Sequence, residues 1–201
     1  TYVESGEDLN AYEGGFRGKE TATFPYDLKK LGKENGGYSI LKTTPYGNSI
    51  TTDFALAALE GEDLGQDADT DFLAVSYSCT DYVGHNFGVN SKEVEDTYVR
   101  LDLEIAKLLS ELDKKVGKGN YSVFLTADHA AVHVPSFLSD KKIPSGYFDI
   151  RSFRNELETF IQQKYGRDDL IEDISNDQVF FRYTVLADES IDAEALQKDI
   201  K

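Results

Sequence analysis

Methionine and tryptophan are absent from this chain, and cysteine occurs once. A lone Cys79 excludes an intrachain disulfide framework and leaves the redox compartment open. Unpaired cysteines are commonly small buried residues, and Cys79 is read as one, at a strand end. Cations are also scarce: 21 Lys and Arg stand against 37 Asp and Glu, a formal net charge of -16. That balance argues against nucleic acid as the partner, because backbone phosphates are held by clustered Lys and Arg. It repels anionic membranes as well. An anionic substrate is not excluded, since a bound divalent metal reverses the field inside a site. No apolar run approaches the ~20 residues of a membrane span, and the opening TYVESGEDLN lacks the basic-then-apolar layout of a signal peptide. Because an open reading frame normally begins with methionine, its absence implies a processed chain or a piece of a larger protein. Nothing in the composition sets an oligomeric state.

What is present suits one ordinary globular domain over residues 1–201, with 40% hydrophobic and 12% aromatic content. The first forty residues, rich in Gly, Tyr and charge, read as irregular, with a short helix around Tyr26 to Leu31. A helix is expected over about Ser49 to Glu60, closed at Gly61. In the acidic segment after it, Asp67, Asp69 and Asp71 alternate as in a calcium loop. Phe72 and Ser78, however, stand where an EF-hand needs Gly and Glu, so a solvated loop is expected. FLAVSYS, Phe72 to Ser78, and YSVFLTA, Tyr121 to Ala127, are short, apolar and β-prone, as buried strands are. Between them runs the clearest helix: Val94, Tyr98, Leu101, Ile105, Leu108, Leu112 and Val116 share one face, with Ser91 as N-cap and Gly117 as the stop. Later segments read as a Pro-containing loop around HVPSFLSDKKIPSGYFD, a helix in RSFRNELETFIQQKYG, two strands in DLIEDISNDQVFFRYTVL and a terminal helix in DAEALQKDIK.

Strand, amphipathic helix, strand is a βαβ unit with a parallel pair and a right-handed crossover. The expected fold is therefore α/β, a largely parallel sheet with flanking helices. SCTDYVGH and TADHA each leave the C-terminal end of their strand, on one edge of the sheet, where ligands of open α/β sheets bind. Asp81 and His85 flank a turn at Gly84, and Asp128 and His129 are adjacent. Carboxylate with imidazole is a ligand set that zinc, manganese and iron accept. Two such pairs suit a two-metal centre with ions ~4 Å apart, which stabilises the attacking and leaving oxygens of a phosphoryl displacement. The residues equally allow two ordinary polar loops in which Asp81 caps a turn and His85 pairs with a carboxylate. What favours the metal is that all three histidines fall in or just after these two strings.

D-Y-V-G-H-N-F-G, then a long helix, then T-A-D-H resembles the metal-binding core of the alkaline phosphatase superfamily. The branch it resembles is the bacterial phosphate-monoesterase group of the type I phosphodiesterase and nucleotide pyrophosphatase family. The likeness runs through TTPYGNSITTDFALAALEGEDLG and into VPSFL, roughly Phe24 to Pro144. It implies two zinc ions at the C-terminal strand edge, one held by Asp81 and His85 and the other by Asp128 and His129. It also implies a small phosphate-ester substrate, a Thr or Ser nucleophile that attacks phosphorus, hydrolysis of the resulting phosphoenzyme, and a periplasmic or secreted location. The family's nucleophile and an Asp ligand would precede Thr1, and a further His ligand would follow Lys201. The chain is thus expected to be an internal fragment, a partial alkaline-phosphatase-like domain that is inactive by itself; the alternatives are a phosphodiesterase or nucleotide pyrophosphatase of the same superfamily, or a non-catalytic binding domain on the same scaffold. His133 follows the Asp-His pair too closely to be the late ligand and is read as a loop or supporting residue. Thr44, Ser49, Thr51 and Thr52 match a segment downstream of the family nucleophile and are read as capping or turn residues. Ala130 departs from the Gly usual after the Asp-His pair, which matters if φ is positive there.

Overall fold

A computed structural model describes residues 7–9, 11–176 and 178–201, and the chain divides into two compact units, Thr1–Ser145 and Gly146–Lys201. In the first, a short helix α1 (Leu28–Leu31) is capped by Asp27, whose side chain accepts from the Lys30 N–H. A 3-10 segment, Gly37–Thr43, leads into helix α2, Pro45–Gly61. α2 begins earlier than the predicted Ser49, because Pro45 occupies the first turn, where its missing N–H costs nothing and its fixed φ suits a helix. Its buried stripe, Asn48, Thr52, Ala55 and Leu59, is polar in its first half.

The stretch read as a turn around Gly84 is instead helix α3, Cys79–Phe87. Cys79, Val83 and Phe87, spaced by four, form its buried stripe. The spacing from Asp81 to His85 is the same helical repeat. Cys79 is buried as expected, but as the first residue of a helix rather than at a strand end. Helix α4 (Lys92–Leu112) begins where predicted, with Ser91 Oγ accepting from the Val94 N–H at 3.2 Å, and runs on through a π-helical turn, Asp113–Gly117. The expected apolar face is only half-buried, and Tyr98 is exposed. The buried positions on α4 are Glu93 and Thr97. α2 and α3 pack on α4, and α3 also meets the 3-10 segment. Phe16, Ala22, Leu31, Ile40, Val83 and Phe87 make the core there. A short helix α5 (Pro135–Asp140) lies within the segment read as a Pro-containing loop.

Neither predicted parallel strand forms a ladder among the described residues: 71–77 and 121–127 carry no strand pairing. The first keeps the alternation of a strand, with Leu73, Val75 and Tyr77 half-buried between exposed Phe72, Ala74 and Ser76. Tyr77 Oη lies 3.1 Å from Thr52 Oγ1, which fastens this side to α2. In the second, Phe124 is 90% and Leu125 80% exposed. A strand is defined by the neighbour that takes its N–H and C=O groups, and no described segment supplies one to either stretch.

The second unit has helix α6 (Ile150–Tyr165), capped by Asp149 accepting from the Arg151 and Ser152 N–H groups and ended by Gly166 at φ 72°. Strands β1 (Ile171–Ser175) and β2 (Gln178–Phe181) pair antiparallel, with an irregularity between Ile171 and Asp173. These are the two strands expected there, except that the run continuing into YTVL is helix α7, Tyr183–Asp188. Its β-prone residues yield to burial of Leu186 at 3% exposure. The expected terminal helix is α8 (Ala193–Asp199), capped by Asp192. Leu157, Ile161, Leu170, Ile171, Ile174, Phe181, Leu186 and Leu196 form one continuous core.

Candidate metal centre

The Asp-His pairs belong to the first unit and reach each other by different means. Burial of Val83 and Phe87 fixes the rotation of α3, so Asp81 and His85 share a neighbouring, exposed stripe. His85 Nε2 stands 3.4 Å from Asp81 Oδ1. The extended segment 121–127 delivers the second pair, and His129 Nε2 lies 3.8 Å from the same Asp81 Oδ1. Asp128 Oδ2 is 3.6 Å from His129 Nε2, and Asp128 Oδ1 accepts the His129 backbone N–H at 3.1 Å. Two imidazole nitrogens therefore converge on one carboxylate oxygen, with a second carboxylate beside the far ring.

No group of three or more His, Cys, Asp or Glu side chains among the described residues is arranged as a ready metal cage. The pairwise chemistry nonetheless fits zinc. Two atoms each ~2.0 Å from one tetrahedral ion stand roughly 3.3 Å apart, and the Asp81 to His85 separation is 3.4 Å. His129 Nδ1 lies 3.3 Å from the Ala130 carbonyl. A proton on Nδ1, donated to that carbonyl, leaves Nε2 with its lone pair, the tautomer a ligand needs. Ala130 is not among the residues with positive φ, so the departure from Gly carries no backbone penalty.

The other sequence candidates have local roles. His133 Nδ1 is 3.1 Å from Asn90 Nδ2 and its ring stacks on Phe137 at 5.0 Å, which makes it an exposed loop residue held by local contacts. Thr44, Thr51 and Thr52 bond the carbonyls of Leu41, Gly47 and Asn48, each within the preceding turn. Asp71 accepts from the Gly65 N–H and Asp67 from the Asp69 N–H, so these carboxylates close their own loop. Burial pushes the Cys79 thiol up, away from thiolate chemistry.

Sequence reasoning missed a cleft beside α3. Residues 14–17 cross the end of this helix so closely that a Cβ at Gly14 would stand 2.1 Å from the Asn86 carbonyl oxygen. The cleft, about 280 Å³, is lined by Phe16, Arg17, Ser39, Lys42 and Asn86 among others. The two glycines of AYEGGFR were the available signal, since paired glycines mark close backbone approach.

Set beside known proteins, this arrangement belongs to a defined class. The chain belongs to the type I phosphodiesterase / nucleotide pyrophosphatase family, whose model matches residues 16–184. It is 47% identical over 194 residues to the alkaline phosphatase PafA of Elizabethkingia meningoseptica, covering 96% of this chain and 35% of that one. It is 52% identical over 188 residues to a protein of Myroides odoratus named calcium-transporting ATPase, covering 92% of this chain and 34% of that one. The crystal structure of wild-type alkaline phosphatase PafA matches with a TM-score of 0.84 at 45% identity, over 96% of this chain and 36% of that chain. The α/β fold is thus similar to that of PafA, and the chain spans about a third of the length of these relatives.

Proposed function

We propose that the protein carrying this chain is a phosphoric ester hydrolase, an alkaline phosphatase acting on phosphate monoesters. Asp81 and His85 hold one zinc ion and Asp128 and His129 the other, and the nucleophile and remaining ligands come from outside residues 1–201. The observation that carries this reading is the convergence of His85 Nε2 and His129 Nε2 on Asp81 Oδ1. Metal bound there supplies the positive field that phosphoryl oxygens need in a chain of net charge -16. This chain's own residues orient the site: α3 sets the Asp81 and His85 stripe, and the Ala130 carbonyl steers the His129 ring. The segments 71–77 and 121–127 act as strands of a largely parallel sheet completed by the rest of the protein. The chain by itself is inactive, and the whole protein works in the periplasm or outside the cell.

Zinc analysis of the chain with Asp81→Ala and Asp128→Ala tests the ligands: each variant should lose bound zinc, and full retention in both would overturn the assignment. A phosphodiesterase is the second reading, favoured by the family's own description. Assays of the whole protein on paired mono- and diesters separate the two, with preferential monoester hydrolysis expected.

A further inference from the structure

The cleft beside α3 adjoins the candidate metal centre through the helix itself. Tyr82 and Asn86 are one residue beyond Asp81 and His85, so they form the adjacent stripe of the same helix. Lys42 Nζ sits 5.0 Å above the Tyr82 ring, and Asn86 lines the cleft. Arg17 also lines the cleft and is held there by its backbone. Asn35 accepts the Arg17 N–H at 3.0 Å through Oδ1 and donates to the Arg17 carbonyl at 2.9 Å through Nδ2, while its Nδ2 also reaches the Leu31 carbonyl at 2.7 Å. The floor is apolar, from buried Phe16 and Ile40.

Charge singles this cleft out. Many of the chain's cations are neutralised in ion pairs, as Lys92, Lys107, Lys115 and Arg154 are. Neither Arg17 nor Lys42 is ion-paired to a carboxylate among the described residues. The cleft also holds one carboxylate, Glu34, which leaves a net positive charge in a strongly acidic molecule. A volume of about 280 Å³ lies just under the ~300–1,000 Å³ of drug-sized sites, and suits a small organic group.

We propose that this cleft, resting on the phosphatase reading above, is the leaving-group subsite and recognises an alcohol or phenol bearing a carboxylate. Phe16 and Ile40 take the carbon frame, Arg17 and Lys42 the carboxylate, and Asn86 and Ser39 offer hydrogen bonds to hydroxyls. Guanidinium and ammonium groups each form charge-assisted hydrogen bonds with a carboxylate, and the apolar floor beneath them strengthens both.

Two measurements test it. In the 201-residue chain, NMR titration with 4-hydroxyphenylacetate should shift the Asn86 side-chain amide and the Arg17 backbone N–H. The shifts should be lost in Arg17→Ala and in Lys42→Ala, with folding checked by circular dichroism and partial recovery in Arg17→Lys. In the whole protein, kcat/KM is compared for the phosphate esters of 4-hydroxyphenylacetate and 4-ethylphenol, whose leaving groups differ chiefly in the carboxylate. The ratio should favour the carboxylated ester and fall about tenfold in each alanine variant, mainly through KM. Absent NMR shifts, or a ratio that none of the variants changes, overturns the subsite. Turnover of neither ester by the parent protein overturns the phosphatase reading instead, and the titration then still decides the cleft.

Discussion

The two units satisfy their apolar residues in different ways. In Gly146–Lys201 the apolar positions of α6, the β1-β2 pair, α7 and α8 meet in one cluster, and Leu170 and Leu196 are completely buried. In Thr1–Ser145 some of the most deeply buried side chains are polar, Asn48, Thr52, Ser91 and Thr97, while Phe72, Phe124 and Leu125 are largely exposed. Both of the Asn48 amide heteroatoms are buried without a hydrogen-bond partner. The small unit closes its core from its own sequence. The larger one carries surfaces whose chemistry calls for further partners.

The strongest way to break that contrast is to cut into the closed core. Leu196→Ala removes a side chain with no exposure, from the last helix. It should cost about 2–5 kcal/mol, transfer and cavity terms together. Urea unfolding followed by residue-resolved NMR signals of the second unit, such as those of Tyr165 and Tyr183, checks it. Phe87→Ala should cost about 3–5 kcal/mol in the first unit. It should also weaken zinc uptake, because Phe87 holds the helix that orients Asp81 and His85.

A pH experiment sharpens the comparison at the polar buried positions. Burial pushes the Glu93 carboxyl up, and the carboxylates of Asp8 and Asp96 add to this, while the hydrogen bond from Tyr26 works the other way. A folded value above the unfolded one means that the folded state binds the proton more tightly. The associated stability is present in acid below the unfolded value and is lost as pH rises through the folded value. Glu93 therefore contributes a fall in the thermal midpoint of the first unit between acid and neutral pH, and Glu93→Gln should remove that contribution and so change the slope. An unchanged slope would remove Glu93 as its source.

How far the sequence reached follows the same division. α4 and α6 were legible because cap residues and a long apolar period agree within each segment. α3 was not, because Gly84 drew the reading toward a turn although Cys79, Val83 and Phe87 already repeat every four residues. A Cβ at Gly84 would meet nothing within 4 Å, so no crowding demands glycine there. The two β-prone stretches were recognisable as extended, but pairing is a property of the neighbour and cannot be read within either stretch. At the site, both Asp-His pairs were legible from type and spacing. That Asp81 faces His85 and His129 alike was not, since it depends on how the segment 121–127 lies beside α3. The Arg17 and Lys42 cleft was hidden because its lining comes from three separate stretches.

Ser91→Ala, which deletes the cap of α4, should cost about 1 kcal/mol, readable as a small loss in the urea midpoint of the first unit. The smallest effect is expected where the sequence looks most core-like. Phe124→Ser removes an aromatic ring that is 90% exposed, so stability should move by no more than about 0.5 kcal/mol. Phe87→Ala, at 1% exposure, sets the contrast for the same residue type. Val123, Phe124 and Leu125 form an exposed, unpaired, β-prone run, the kind of edge that recruits other chains. Phe124→Ser should thus reduce concentration-dependent light scattering while leaving the unfolding midpoint in place. A large loss of stability with unchanged scattering would instead mean that Phe124 is packed within this chain, and the difference drawn between the two units would fail at that residue.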